Sequence, residues 1–317
     1  MKTDTKQVGT YLINYLLVAM QAALPVAAPS ANKFGHVSPT TCEHVYNDLS
    51  ACPIIIVKGE SSSTTSQSDP TCSVGIESTV VKVAPDGQSI SLLRFGGTSV
   101  SSLESALKQT GLGHVSVHCP PEDSNSYSSR ATAATSASQH QATEHDSSGS
   151  TGEKYESPGQ LIRHYAPNVN TFLLPPRTAL APMSGNDSLY RGTTQLKSTG
   201  LIDFAGAYKD LENDVKYYVD LSVEGDIVVA RQNLYKFLRH AEQVDGLNAI
   251  LLSLPALPSE RGSQERGVPK SNGDHTESLR DRLFRAASGT YLDGQNASLK
   301  ELWYEILERC EHTTCHT

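Results

Sequence analysis

Between Pro25 and Asn32 the chain reads Pro-Val-Ala-Ala-Pro-Ser-Ala-Asn, and the reading of this stretch decides the expected fold. Val26-Ala27-Ala28 has the small apolar residues of a short buried strand. Pro29-Ser30-Ala31-Asn32 follows at once as a polar turn at the strand's C-terminal end, where α/β sheets place their ligands. Just upstream, Ile13, Leu16, Leu17, Met20 and Leu24 recur at spacings of three and four, which predicts a helix running into Leu24. A helix, a buried strand and a polar turn in succession point to the α/β class.

Working downstream, Ser38-Pro39-Thr40-Thr41 reads as a helix start, with Ser38 as N-cap, Pro39 at the first helical position, and Val45 and Leu49 on the buried face. Ile54-Ile55-Ile56-Val57 is an unbroken β-branched run, which predicts a strand buried on both faces. A polar loop from Gly59 to Thr71 follows. Strands over residues 77–83 and 90–94 flank Pro85-Asp86-Gly87, predicting a hairpin. Leu103 and Leu107, with glycines at 111 and 113, predict a short helix with a glycine stop.

Residues 120–155 are dominated by Ser, Ala, Thr, His and Gln. With almost no large aliphatic side chains, this stretch cannot offset its ordering entropy and is expected to be a disordered linker. Order is expected again from Ser157-Pro158-Gly159, and Phe172-Leu173-Leu174 opens a second α/β domain. In that domain we expect a helix over 233–244, a strand over 249–254 and a helix over 277–287, with residues 258–275 as a charged, Gly- and Ser-rich surface insertion.

A chain of 317 residues suits two domains. Its 26 basic and 34 acidic side chains leave a net charge of −8, so no global field draws in nucleic-acid phosphates. Six cysteines spread without a dense framework fit a reducing, cytoplasmic compartment. Mitochondrial import is the weaker alternative, because Lys2 and Lys6 are the only basic residues among the first thirty. The apolar stretch from Val8 to Ala28 is interrupted by Asn14, Gln21 and Pro25, so it reads as a buried helix and strand, not a membrane span or a signal sequence. Cys310, His312, Cys315 and His316 are zinc-ligand types, but crowded in a polar tail they suit a disordered end better than a closed tetrahedral site.

Four segments carry the chemistry: Pro29-Ser30-Ala31-Asn32, Ser38-Pro39-Thr40, Gly75-Ile76-Glu77-Ser78-Thr79 and Leu93-Arg94-Phe95-Gly96-Gly97. The first offers a hydroxyl and an amide at a strand end, and the second offers the free N–H groups of a helix start, an anion site. Arg94 enters a glycine-rich turn, where a guanidinium can grip a phosphate while the backbone comes close. Ser78 and Thr79 suit a small polar substrate. Each residue taken singly also has a plainer reading: Ser38 as a helix cap, Arg94 paired with Glu77 or Glu104, and Ser78 in an ordinary hairpin.

The order of these segments is similar to that of the YrdC family. Residues 25–32, then 35–40, then Ser73-Val74-Gly75-Ile76-Glu77-Ser78-Thr79-Val80-Val81, occur in that family's succession. Ser157-Pro158-Gly159-Gln160-Leu161-Ile162-Arg163-His164-Tyr165-Ala166-Pro167 resembles the linker that joins the YrdC domain to the extra domain of the long threonylcarbamoyl-AMP synthases. Leu234 to Arg239, with Asp245, and Asp281 to Ser288 resemble two helices of that extra domain.

The resemblance implies a partial YrdC-like twisted mixed sheet over residues 1–118, the Ser-rich linker over 119–156, and an interdomain closing linker over 157–170. A smaller Rossmann-like α/β domain follows over 171–300, then a tail over 301–317. It implies that threonine, bicarbonate and ATP give threonylcarbamoyl-AMP and pyrophosphate, with Mg2+ assisting, to supply the group placed on a tRNA adenosine. Ser30, Asn32, Ser38, Arg94 and Tyr165 would contact ATP, and Ala28 and Ser78 would border threonine. No side chain is implied as a nucleophile. The family also places a threonine-binding strand and a Lys-x-Arg element ahead of the Pro-Ser-Ala-Asn segment, and Phe95 stands where it has proline. The chain is therefore expected to be a shortened form, lacking the N-terminal part of the YrdC domain, with its activity in doubt. The competing expectation is a non-catalytic module that holds nucleotide or double-stranded RNA or tRNA; carbamoyl transfer is disfavoured by the His164 to Pro167 linker.

Overall fold

The computed structural model describes residues 30–56, 74–119, 165–177, 196–256 and 273–292. Met1–Ala31 and Asn32–Thr317 form two compact units, and Ser30 and Ala31 are the described part of the first. The expected helix into Leu24, the strand at Val26–Ala28, the Ser-rich linker, most of the 258–275 insertion and the Cys/His tail lie outside the described residues.

The first helix, α1, spans Cys42–Leu49 and begins three residues later than its expected start. Thr41, extended at φ −137 and ψ 163, is its N-cap and accepts from the His44 amide. Ser38 is no cap: it is buried, and its hydroxyl donates to Glu77 at 2.6 Å. The buried residue of α1 is Asp48, whereas Val45 and Leu49 are half-buried. The β-branched run after α1 also departs from expectation. Residues 53–56 form no strand, and Ile55 is 93% exposed. β-branched residues favour a strand only when a neighbouring strand pairs with them, and none among the described residues does.

The expected hairpin is present. β1 (Val80–Val83) pairs antiparallel with β2 (Ser89–Arg94), with Val83 opposite Ile90. Its turn is closed by the Asp86 carboxylate, which accepts from the Gln88 amide at 2.9 Å. The chain then crosses through α2 (Val100–Gln109), capped by Ser99, to β3 (Ser116–His118), which lies parallel to β2. The mixed sheet thus has the order β1-β2-β3.

The second sheet is wholly parallel and has the order β4-β7-β5-β6. Its strands are β4 (Asn170–Leu174), β5 (Thr199–Asp203), β6 (Tyr217–Asp220) and β7 (Ala249–Ser253), with α3 (Ile227–Glu242) between β6 and β7 and α4 (Gly273–Ala286) after β7. Alternate residues divide between two cores, as strand geometry requires. Leu173, Ile202, Ile250 and Leu252 face one core with Leu234, Leu238, Leu279 and Leu283 of α3 and α4. Phe172, Leu174, Leu201 and Leu251 face the other with Leu196, Tyr208 and Leu211. Burial on both faces is the condition that suits a parallel sheet. Val37, Ile76 and Tyr165 belong to the α3/α4 core, so the segments carrying the candidate site are anchored on the helical face of this sheet.

Candidate functional site

Two glycines bring the site loops together. Gly75 has φ +77, and a Cβ there would stand 2.3 Å from the Arg231 carbonyl oxygen on α3. A Cβ on Gly96 would stand 2.3 Å from the Ser78 carbonyl carbon and the Thr79 nitrogen. The 75–79 loop is therefore packed backbone to backbone against α3 on one side and the turn after β2 on the other. The Gly97 amide donates to the Glu77 carbonyl at 3.0 Å and holds the two loops in register.

Glu77 lies at the centre. Its carboxylate accepts from Ser38 Oγ at 2.6 Å, from the Tyr235 hydroxyl at 2.9 Å and from Arg282 Nε at 2.8 Å. Burial pushes its pKa up, but the Arg282 charge and the hydrogen bonds from Ser38 and Arg282 outweigh it, leaving the carboxyl below its ordinary value. Arg282 is fully buried, and its two terminal nitrogens donate to Asp281 Oδ2 at 2.5 Å and to the Phe95 carbonyl at 2.9 Å. Its guanidinium lies 5.0 Å from the centre of the Tyr165 ring, which packs on the Tyr235 ring at 5.7 Å. Burial and then the Glu77 charge push the Tyr165 phenol above its ordinary value.

Arg94 spans the rim of this cluster. Its Nε and Nη2 donate to the Ser78 carbonyl at 3.1 and 2.9 Å, Nη2 reaches Ser78 Oγ at 3.3 Å, and Nη1 meets the Tyr165 hydroxyl at 3.5 Å. Of the two carboxylates weighed as its plain partner, Glu77 is taken by Arg282. Ser78 is exposed, Arg94 half-buried and Tyr165 buried behind them, so the rim presents a guanidinium and a hydroxyl backed by a phenol, a set suited to an anionic, hydrogen-bonding ligand.

A second cluster holds α1 to α3. Asp48 accepts from Arg239 Nη1 at 3.1 Å and Nη2 at 2.7 Å, and meets His36 Nδ1 at 3.0 Å. His36 Nε2 meets Glu242 at 2.9 Å. Arg239 also donates to the carbonyls of Val37 and Ser38. Burial opposes ionisation of Asp48, yet hydrogen bonds from Arg239 and His36 bring its pKa down to about 2. The bond to Glu242 raises His36 against its desolvation, with Asp48 adding to the rise.

Of the residues singled out in the sequence, Ser78, Arg94 and Tyr165 are brought into one hydrogen-bonded group, and Ser38 joins them through Glu77. Asn32 stands apart: its Nδ2 donates to the Lys33 and His36 carbonyls at 2.9 and 3.1 Å, while its buried Oδ1 has no hydrogen-bond partner. Ser30 is exposed and belongs to the other unit, and Ala28 lies outside the described residues. The sequence reading missed Glu77, Tyr235 and Arg282 as a group. The available signal was a carboxylate within the Gly-Ile-Glu-Ser-Thr loop and arginines on apolar helix faces, where a buried charge needs a partner. Among the described residues no three His, Cys, Asp or Glu side chains group as metal ligands, and Glu77, Asp48 and Asp281 are engaged by guanidinium groups. They do not fit a resident magnesium ion.

Comparison with known proteins gives a consistent set of similarities. The family model described as threonylcarbamoyl-AMP synthase, C-terminal domain, matches residues 99–288. A threonylcarbamoyl-AMP synthase of Schizosaccharomyces pombe is 42% identical over 82 residues, covering 26% of this chain and 17% of the relative. That of Bacillus subtilis is 32% identical over 154 residues, covering 49% and 32%. That of Pyrococcus abyssi is 25% identical over 244 residues, covering 77% and 54%. The chain thus spans at most about half the length of these relatives. The crystal structure of Pyrococcus abyssi Sua5 complexed with L-threonine aligns with a TM-score of 0.48 at 21% identity, over 86% of this chain and 61% of that one.

Proposed function

The chain belongs to the threonylcarbamoyl-AMP synthase C-terminal-domain family, and from that premise we propose that the protein it represents condenses threonine, bicarbonate and ATP into threonylcarbamoyl-AMP. It is then a nucleotidyltransferase that supplies the group placed on a tRNA adenosine, and the cysteine usage supports a cytoplasmic location. In the proposed reaction, the threonine nitrogen bonds to the carbon of bicarbonate with loss of water, and the resulting carbamate attacks the α-phosphorus of ATP. The new bond joins the carbamate oxygen to phosphorus, and pyrophosphate leaves with the electron pair of the broken P–O bond. No step calls for a protein nucleophile, so catalysis is positioning and charge neutralisation. Magnesium enters only as the ion carried by the ATP phosphates.

The observation that carries this reading is the grouping of Arg94, Ser78 and Tyr165 on one rim. Arg94 is assigned to the nucleotide, with Asn32 and Ser38 as further ATP contacts. Tyr165 is assigned to closure over the nucleotide, and Ser78 to threonine. The unpartnered Oδ1 of Asn32 offers an acceptor to a bound donor. Ser38 already donates to Glu77, so it has acceptor lone pairs left to offer.

ATP binding to the full chain, measured by calorimetry, tests the reading, followed by pyrophosphate release with threonine and bicarbonate present. Loss of one charge-assisted contact in Arg94→Ala should weaken ATP binding by about 1.5–3 kcal/mol, a factor of roughly 10–150. Unchanged affinity in that variant would remove Arg94 from the site.

A further inference from the structure

Arg231 on α3 is a charge without a counter-charge among the described residues. The residue is 3% exposed, and its Nε and Nη1 are buried with no hydrogen-bond partner. The described charge acting on it is that of Arg282, of the same sign. Burial and then that like charge push Arg231 below the ordinary arginine value. Glu77 and Asp281 both bind Arg282 directly, and Asp281 also binds Arg285. Every other buried arginine of α3 and α4 differs in this respect: Arg239 has Asp48, Arg285 has Asp281, and Arg280 donates to the Pro255 carbonyl.

The guanidinium does not lie in the depth of the core. Its Nη2 stands 3.9 Å from where a Cβ on Gly97 would be. Gly97 is half-buried, its neighbour Thr98 is exposed, and Val74, whose methyl would meet the same Cβ, is 44% exposed. Three residues beyond Gly97 the ten-residue helix α2 begins, with its N-cap Ser99 buried. A helix N-terminus carries partial positive charge and free amides. A bare glycine turn and a buried guanidinium therefore share one place, with a helix start three residues further along the chain. Water could satisfy the orphaned N–H groups but not the charge. An unpaired buried charge is among the costliest features a fold can carry.

We propose that Arg231, the Gly96-Gly97 turn and the N-terminus of α2 form a binding site for a phosphate-class oxyanion. The planar guanidinium fork suits two oxygens of such a group, and Gly96 and Gly97 bring only backbone to the turn. The site stands whether or not the chain turns over ATP.

The test uses the full chain and thermal unfolding, with inorganic phosphate and pyrophosphate as probes against chloride and acetate at equal ionic strength. At an anion concentration about a hundredfold above Kd, the midpoint should rise by on the order of 5–10 °C. Arg231→Met should melt above wild type in chloride, because it removes an unpaired buried charge, and should lose the phosphate-dependent rise. Arg231→Lys, which keeps the charge, should retain part of it. Line broadening of the phosphorus signal in a titration with wild type, absent with Arg231→Met, reads binding without relying on unfolding. A wild-type midpoint unmoved by phosphate and pyrophosphate, or a rise kept in Arg231→Met, would overturn the site while leaving the proposed reaction standing. An equal rise in acetate would overturn the phosphate class.

Discussion

Replacing Glu77 by glutamine keeps the shape of the side chain and removes its charge. Three donors converge on that carboxylate, from Ser38 at 2.6 Å, Tyr235 at 2.9 Å and Arg282 at 2.8 Å. Breaking a buried ion pair by removing one partner costs about 3–5 kcal/mol. Arg282 keeps Asp281 at 2.5 Å, and the Glu77 side chain is 21% exposed, so the lower end, about 3 kcal/mol, applies. The glutamine NH2 must also face one of the three donors, which adds about 1 kcal/mol. A total of about 3–4 kcal/mol lowers the melting temperature by about 6–16 °C for a chain of this size. Urea unfolding followed by circular dichroism at pH 7 measures the difference. Because the folded Glu77 carboxyl lies below its ordinary value of 4.5, its contribution is present above that pH and is lost as pH falls through the folded value. The gap between wild type and Glu77→Gln should therefore narrow in acid. In the double variant with Arg282→Met, the loss should be smaller than the sum of the singles, because each partner's cost is largely the stranding of the other. A Glu77→Gln loss under about 1 kcal/mol, or a gap that does not change with pH, would refute the reasoning.

Gly96→Ala puts a methyl 2.3 Å from the Ser78 and Thr79 backbone, and should cost at least about 1–3 kcal/mol by forcing the loops apart, read as a lower urea midpoint. Asp226 caps α3 by accepting from the Val228 amide at 2.7 Å and the Val229 amide at 3.2 Å; Asp226→Ala should cost about 1 kcal/mol, while Asp226→Ser should recover most of it. His36, raised by its bonds to Glu242 and Asp48, contributes stability that is whole below pH 6.5 and fades as pH rises through its folded value. Urea midpoints at pH 6 and pH 8.5 should differ more for wild type than for His36→Gln, and equal differences would exclude His36 as the titrating group.

Much of the fold was legible because its signals are local. The hairpin around Pro85-Asp86-Gly87 formed where turn chemistry placed it, and the apolar runs at Phe172–Leu174 and Ala249–Ser253 became buried parallel strands. β5 and β6 escaped notice because Thr-Gly-Leu-Ile-Asp and Tyr-Tyr-Val-Asp are too short to show a period. Gly200 weakens the first as a strand signal, though it makes room for Leu247 at 3.1 Å from its would-be Cβ. The Ile54-Ile55-Ile56 run misled for the opposite reason: its propensity is strong, but no described strand pairs with it.

The site divides along the same line. Composition, turn residues and motif wording singled out Ser38, Ser78, Arg94 and Tyr165 from the sequence, because each belongs to a short segment with its own chemical character. Which partner each side chain takes was decided only in three dimensions. Ser38 gave up a helix cap for Glu77 across 39 positions, and Glu77 took Arg282 across 205. Among the described residues Arg231 was left with no anion, while Arg239, eight residues along the same helix, found Asp48. Local sequence sets backbone propensity over a few residues, whereas a buried charge is settled by whatever the fold brings within about 3 Å of it.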